Sequence, residues 1–305
     1  MDFLKELNDK FPIRKTQTQK DAFRRYVLGK AAEKEVDAKI EQNGKNKNVV
    51  IGNPLTAEVI FTAHYDTPNA SLFPNLMMPI NKGLFYAYQF LIIAVLLLVS
   101  ITPAIVIGMG VLQSEIAYAG IFLALYFGLF LLGFKTFINK NNANDNTSGV
   151  ATVLTIMKSL DKEKLSKVAF ILFDNEEKGL LGSKAYKKDH KQEIKDKLLI
   201  NFDCVGNGDN ILLLAKPKAE ENQNFTRLKT VFTSGDGFTV GFYSSKKSVA
   251  NSDQKNFEQG VACVACKKSK RGILYTPYIH TAKDIVADDK NIEFITNKII
   301  EFVNS

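Results

Sequence analysis

Residues 170–183 read FILFDNEEKGLLGS, an apolar run that ends abruptly in two adjacent glutamates, Glu176 and Glu177. Residues 168–173 are apolar throughout, which predicts a strand buried on both faces. Two carboxylates at the exit of such a strand repel each other, and the arrangement is costly unless a cation or a shared proton offsets the charge. For an isolated pair, a solvated turn after a strand is the ordinary reading. The meaning of this one therefore depends on the rest of the chain.

With 305 residues and 46% hydrophobic content, the chain can bury a real core. A net charge of +8 is only moderately basic. The lysines are scattered, as in 184–197 and 267–271, and read as solvated faces. No stripe interleaves aromatics with arginines, so no nucleic-acid partner is expected. Three cysteines cannot all pair, which argues against a secreted disulfide framework and for a reducing compartment. Cys263 and Cys266 form a CxxC inside GVACVACKK, which reads as a strand carrying buried thiols. The N-terminal segment has no secretory-signal pattern, so the chain is expected to start in the cytoplasm.

Two more apolar strands end as the first one does. Residues 59–63 deliver His64 and Asp66 together, two apart on an extended chain and so on one face. Asp66 could then fix the imidazole tautomer while the other ring nitrogen binds metal. Residues 197–202, KLLINF, run into Asp203 and the turn-forming GNGDN. Asp145 lies just before a helix that starts near Gly149, as a cap or as a ligand. His280, one of only three histidines, stands in a loop before a final helix over 291–303. Strands ending in His or carboxylate, with helices between some of them, predict an open α/β sheet with its site at the carboxyl ends.

His64, Asp145, Glu177, Asp203 and His280 are the candidate ligands. Mixed imidazole and carboxylate suits zinc, less well manganese or cobalt. Five ligands exceed the needs of one tetrahedral ion, whereas two ions bridged by one carboxylate would use them all. Glu176 is then left to move protons.

Between these motifs, 84–112 and 116–134 are uncharged and each is long enough to cross a hydrocarbon core. Gln113, Ser114 and Glu115 alone separate them, which predicts a tight hairpin, with Pro103 kinking its first helix. Lys82, Lys135 and Lys140 flank the hairpin, and the tip carries no positive charge. This predicts a multi-pass cell-membrane protein with its catalytic domain and both termini cytoplasmic, and a lipid bilayer as partner. A buried helical hairpin in a soluble domain is the competing reading.

AHYDT, NDNTSGVA, FDNEEKGLLGS, NFDCVG, NSDQKNF and YIHTAKD, in that order, resemble the successive motifs of the zinc aminopeptidases of metallopeptidase family 28, clan MH. The resemblance covers residues 16–305 apart from the hairpin. It implies a mixed, mostly parallel central sheet flanked by helices, the zinc exopeptidase (phosphorylase/hydrolase-like) fold. Residues 1–83 and 135–305 would form a single catalytic domain, and 84–134 an inserted transmembrane hairpin. It also implies two Zn2+ ions and hydrolysis of N-terminal residues from peptides with a free N-terminus. His64, Glu177, Asp203 and His280 would be terminal ligands, Asp145 the bridge, and Asp66 the residue that orients His64. Glu176 would be the general base acting on a bridging water.

Gln254 stands where many relatives have histidine, and Ile279 where they often have tyrosine before the last histidine. Tyr278 or Tyr275 could assist the oxyanion or the substrate instead. A glutaminyl cyclase-like acyltransferase shares the fold and several ligands. A non-catalytic scaffold would be expected to lack ligands, and none is missing. The sequence leaves the preferred N-terminal residue and the oligomeric state open.

Overall fold

The computed structural model describes residues 2–71, 73, 75–134 and 137–305. Eleven strands run in chain order: β1 Ala38–Asn43, β2 Asn46–Ile51, β3 Val59–His64, β4 Asn69–Ala70, β5 Phe137–Ile138, β6 Val168–Phe173, β7 Leu198–Phe202, β8 Asn210–Ala215, β9 Thr239–Ser244, β10 Gly260–Lys268 and β11 Leu274–Tyr275. All but β4 and β5, which pair with each other, form one mixed sheet in the order β1-β2-β6-β3-β7-β10-β8-β9, with β11 on β10. β6, β3, β7 and β10 are mutually parallel, so their exits lie on one edge.

β3, β6 and β7 are buried at every position because both sheet faces are covered. Phe61, Phe170 and Phe202 point to one side, where helices Gly149–Ser159 and Asp289–Asn304 contribute Val150, Leu154 and Ile295. Ile60, Ile171 and Phe173 point to the other side, against Tyr186 of helix Leu181–Asp189 and Phe257. The alternation inside a wholly apolar run is the two-residue period of a strand between two layers.

Several elements differ from expectation. β8 is a fully buried strand where the sequence reading stopped at the turn GNGDN. A short aliphatic run such as ILLLA satisfies helix and strand periods alike, and only pairing with β10 selects the strand. Thr16 caps helix Gln17–Glu33 reciprocally with Gln19, a capping box not read from the sequence.

Helix Lys82–Pro103 passes through Pro103 into wider π-helical turns over Ala104–Val111, and Glu115–Phe134 returns antiparallel to it. The crossing is close at Gly108, where a Cβ would collide with the backbone of Tyr118. Phe90, Leu98 and Ile116 are 71%, 64% and 86% exposed, so this is not a helical hairpin buried in the domain core. Two helices, Lys82–Val111 and Glu115–Gly133, are long and apolar enough to cross a membrane.

That test rests on length and composition alone, and two such helices do not make a multi-pass architecture. The expected multi-pass cell-membrane protein with catalytic domain and both termini cytoplasmic is thereby corrected. Most of the described chain is one compact α/β domain. The flanking charges do not carry the orientation either: the Lys82 ammonium donates to the Lys246 carbonyl of the domain, and Lys135 lies outside the described residues.

Candidate dinuclear metal centre

The exits of β3, β6 and β7 converge with the segment before helix Gly149–Ser159. β3 ends on His64, β7 runs into Asp203, and β6 runs through Asp174 and Asn175 into a 3-10 turn over Glu176–Lys178. His280 reaches the same edge from the loop after β11.

Asp145 sits at the middle. Its Oδ1 is 3.3 Å from His64 Nε2, and its Oδ2 is 2.9 Å from His280 Nε2. Asp203 Oδ1 lies 3.7 Å from the same His64 nitrogen, and Glu177 Oε1 3.4 Å from that of His280. His64, Asp145 and Asp203 thus form one ligand cluster, and Asp145, Glu177 and His280 a second. One carboxylate with an oxygen in each cluster is the arrangement a bridged pair of ions needs.

Local folding explains these positions. Asn146 donates its amide to the Phe202 carbonyl at 3.0 Å, and its Oδ1 accepts the N–H groups of Gly149 and Cys204. This ties the Asp145 segment to the exit of β7. A Cβ on Gly149 would collide with the Phe202 carbonyl, so the helix can start this close only on glycine. Asp284 accepts the N–H groups of Asn144 and Asp145, each at 3.0 Å.

The glutamate turn is held from both sides. Asn175 and Gly179, which bracket it, have φ of 54° and 98°, in the left-handed region. Lys20, buried, donates to Asp174 at 2.6 Å and to Asn175 at 2.8 Å. Above the turn, Asp66 accepts the Glu176 N–H at 2.9 Å and the Glu177 N–H at 3.3 Å. His64 Nδ1 faces the Asp66 carbonyl at 3.1 Å, with the carboxylate at 3.6 Å. Asp66 therefore serves both motifs, through its carbonyl for the histidine and its side chain for the glutamates.

The electrostatics of this cluster call for cations. Burial alone would lower His64, yet Glu176, Asp145 and Asp203 draw it well above 6.5. Burial raises Glu176 well above its ordinary value, and Glu177, Asp253 and Asp203 add to this against His64. Asp145 is held below the usual carboxylate range: burial opposes this, and His280 and His64 overcome it. Among the described residues, Glu177 Oε1 is buried without a hydrogen-bond partner. Carboxylate and imidazole donors, one buried oxygen unpaired, and two clusters sharing Asp145 fit zinc ions.

All seven residues assigned to metal and catalysis, His64, Asp66, Asp145, Glu176, Glu177, Asp203 and His280, lie in this region. Tyr275 and Tyr278 do not line the cleft. Tyr275 faces an apolar pocket beside Met78 and Leu84 at the hairpin base, and Tyr278 is 47% exposed. β11, which carries Tyr275, pairs antiparallel with β10. Gln254 does line the cleft, and its Oε1 accepts from Asn201 at 3.1 Å.

Three contributors were missed. Burial pushes Asp284 up to about 8, and Asp253, whose oxygens lack hydrogen-bond partners among the described residues, up to about 7. Both stand inside quoted motifs, so a signal existed. Arg14, fully buried, donates to the Tyr65 carbonyl at 2.5 Å, the Phe11 carbonyl at 2.6 Å and Thr147 Oγ1 at 3.1 Å. It joins the His64 and Asp145 segments from a stretch with no motif. Burial lowers it to about 10, opposed by Asp66 and Asp145.

Residues 133–303 match the profile of peptidase family M28. The chain belongs to that family. No curated protein matches the sequence of this M28 member. Its fold is similar to that of the Legionella pneumophila LapA aminopeptidase, with 14% identity, a TM-score of 0.56, and coverage of 99% of this chain and 69% of that one. It is similarly related to a Porphyromonas gingivalis glutaminyl cyclase, with 14% identity, a TM-score of 0.59, and coverage of 99% and 95%. A Zn-dependent exopeptidase from Parabacteroides distasonis gives 14%, 0.56, 99% and 95%. At such identities these likenesses concern the fold. The M28 chain is a zinc-binding catalytic domain, a hydrolase of this peptidase clan with a bridged dizinc site.

Proposed function

We propose that this M28 hydrolase is an aminopeptidase, removing N-terminal residues from peptides with a free N-terminus. In this reading His64, Asp145 and Asp203 would hold one zinc ion, and Asp145, Glu177 and His280 the other. Bound zinc would polarise the scissile carbonyl and acidify water. Glu176 is the general base, taking a proton from the attacking water and delivering it to the leaving amine. Asp66 keeps Glu176 and Glu177 in register through their backbone N–H groups.

The observation that carries this reading is that the two oxygens of Asp145 face different histidines while Glu176 lies beside them. A ligand atom from each of His64, Glu176 and Glu177 falls within 4.8 Å of the others. Residues 1–83 and 135–305 act as one catalytic unit in this proposal, and the exposed apolar faces of the inserted hairpin 84–134 meet lipid.

The test is an assay of detergent-solubilised protein and Glu176→Gln on a panel of aminoacyl amides, with bound metal counted. Two zinc ions in both proteins and turnover in the wild type alone are expected. A wild type carrying two metals yet inactive on every amide would remove the aminopeptidase reading. Glutaminyl cyclisation is the second reading, because a glutaminyl cyclase shares the fold. Mass spectrometry of a Gln-initiated peptide separates the two, through loss of ammonia or release of a residue.

A further inference from the structure

Two clefts open on the centre and share only Glu177 and His280. The smaller, about 260 Å3, has Glu176 on its wall and apolar lining from Met77, Val264 and Ile279. The larger, about 470 Å3, runs past Thr67 and Asn69 and is bordered by Lys15, Lys20 and Lys178.

The charges of the larger cleft are not balanced among themselves. Lys20 is engaged by Asp174 and Asn175. The Asp66 carboxylate is engaged by two backbone N–H groups, and Glu177 faces His280. Lys15 and Lys178 remain, and among the described residues neither ammonium has a carboxylate within 4.0 Å or a side-chain hydrogen bond.

The two lysines differ in exposure, Lys178 being the exposed one. Lys15 is half-buried, and its backbone N–H is fixed by Gln19 Oε1 at 3.1 Å, part of the cap of the following helix. Lys178 follows Glu177 directly in the 3-10 turn, so its backbone shares the register of the catalytic pair. The charges bearing on the Lys15 ammonium are Glu177, Asp66, Lys178 and Lys20. Two unpaired cations facing one cleft repel, and an anion between them would turn repulsion into two charge-assisted bonds.

We propose that Lys15 and Lys178 form a carboxylate-binding subsite on the leaving-group side of the centre, selecting peptides that carry a carboxylate soon after the scissile bond. This rests on the aminopeptidase reading: the N-terminal residue enters the smaller cleft and the rest of the peptide lies in the larger. The carboxylate can be the terminus of a short peptide or the side chain of Asp or Glu, and the same chemistry recognises both.

The test uses the full-length, zinc-loaded protein, with Lys15→Gln, Lys178→Gln and the double variant. One substrate pair is Leu-Gly-Gly as free acid and as amide, and the other is Leu-Asp-Gly amide and Leu-Asn-Gly amide. The wild type should favour the anionic member of at least one pair by about tenfold in kcat/KM, mostly through KM, and the ratio should approach one in the double variant. Movement in the first pair identifies the chain terminus as the ligand, and movement in the second the acidic side chain. A ratio near one in the wild type, or one unchanged in the double variant, overturns the subsite.

Calorimetric binding of the same pairs to Glu176→Gln, with and without the lysine substitutions, gives a readout free of turnover. Should no form cleave any peptide, the aminopeptidase reading fails. The calorimetric ratio then still decides the subsite.

Discussion

The carboxylate of Asp66 accepts the backbone N–H of Glu176 at 2.9 Å, so a residue from the exit of β3 sets the position of a residue from the exit of β6. The adjacent Glu177 N–H completes the pair at 3.3 Å. Asp66→Asn keeps the shape but turns one acceptor oxygen into a donor, leaving one N–H unpaired. Activity should fall by about 10- to 100-fold, the usual effect of losing a group that orients a metal ligand. Steady-state kinetics with zinc counted in parallel checks this, and an unchanged kcat/KM would show that the glutamate turn holds itself.

Lys20 and Asp174 are a buried ion pair directly beneath that turn, at 2.6 Å and with neither side chain more than 1% exposed. Removing one partner strands the other charge. Lys20→Met should cost about 3–5 kcal/mol of stability in urea unfolding, and Lys20→Met with Asp174→Leu should recover part of it. Equal losses in the single and double variants would mean that packing, not charge, dominates.

Chelation should destabilise the domain. Without cations, Asp145, Glu177, Asp203 and Glu176 crowd together, with His64 and His280 the cations nearest to offset them. At free zinc a thousandfold above its dissociation constant, binding to the native state contributes about 4 kcal/mol. Thermal unfolding before and after chelation should show a lowered Tm that zinc restores. Asp145→Ala should bind fewer than two ions per chain.

His190 predicts a pH dependence away from the centre. It bonds both Glu193 and Glu41 and stacks on Tyr186 at 4.3 Å. Burial opposes the shift, but Glu193 and Glu41 raise its pKa above 6.5. A raised pKa means that the folded state holds the proton more tightly. The stabilisation is therefore complete below pH 6.5 and is lost as pH rises through the folded value. Tm measured against pH should decline across that window, and His190→Gln should flatten the decline.

The ends of β3, β6 and β7 were legible because a buried strand followed at once by His, Asp or Glu is a local pattern. The apolar hairpin was legible for the same reason, as uncharged length, yet length alone could not say what covers it. Six ordered motifs carried the family likeness and brought the seven assigned metal and catalytic residues with them.

By itself the sequence determined which residues stand at the strand exits and which runs are buried, since two-residue and 3.6-residue periods act over neighbours along the chain. Only the tertiary structure decided which oxygen of Asp145 faces which histidine, that Lys20 lies under the glutamates, that Tyr275 shares a pocket with Met78 and Leu84, and that Lys15 and Lys178 share a cleft. These relationships join segments far apart in sequence. They follow from the order β2-β6-β3-β7-β10 and from how tightly its layers pack, which no local period records.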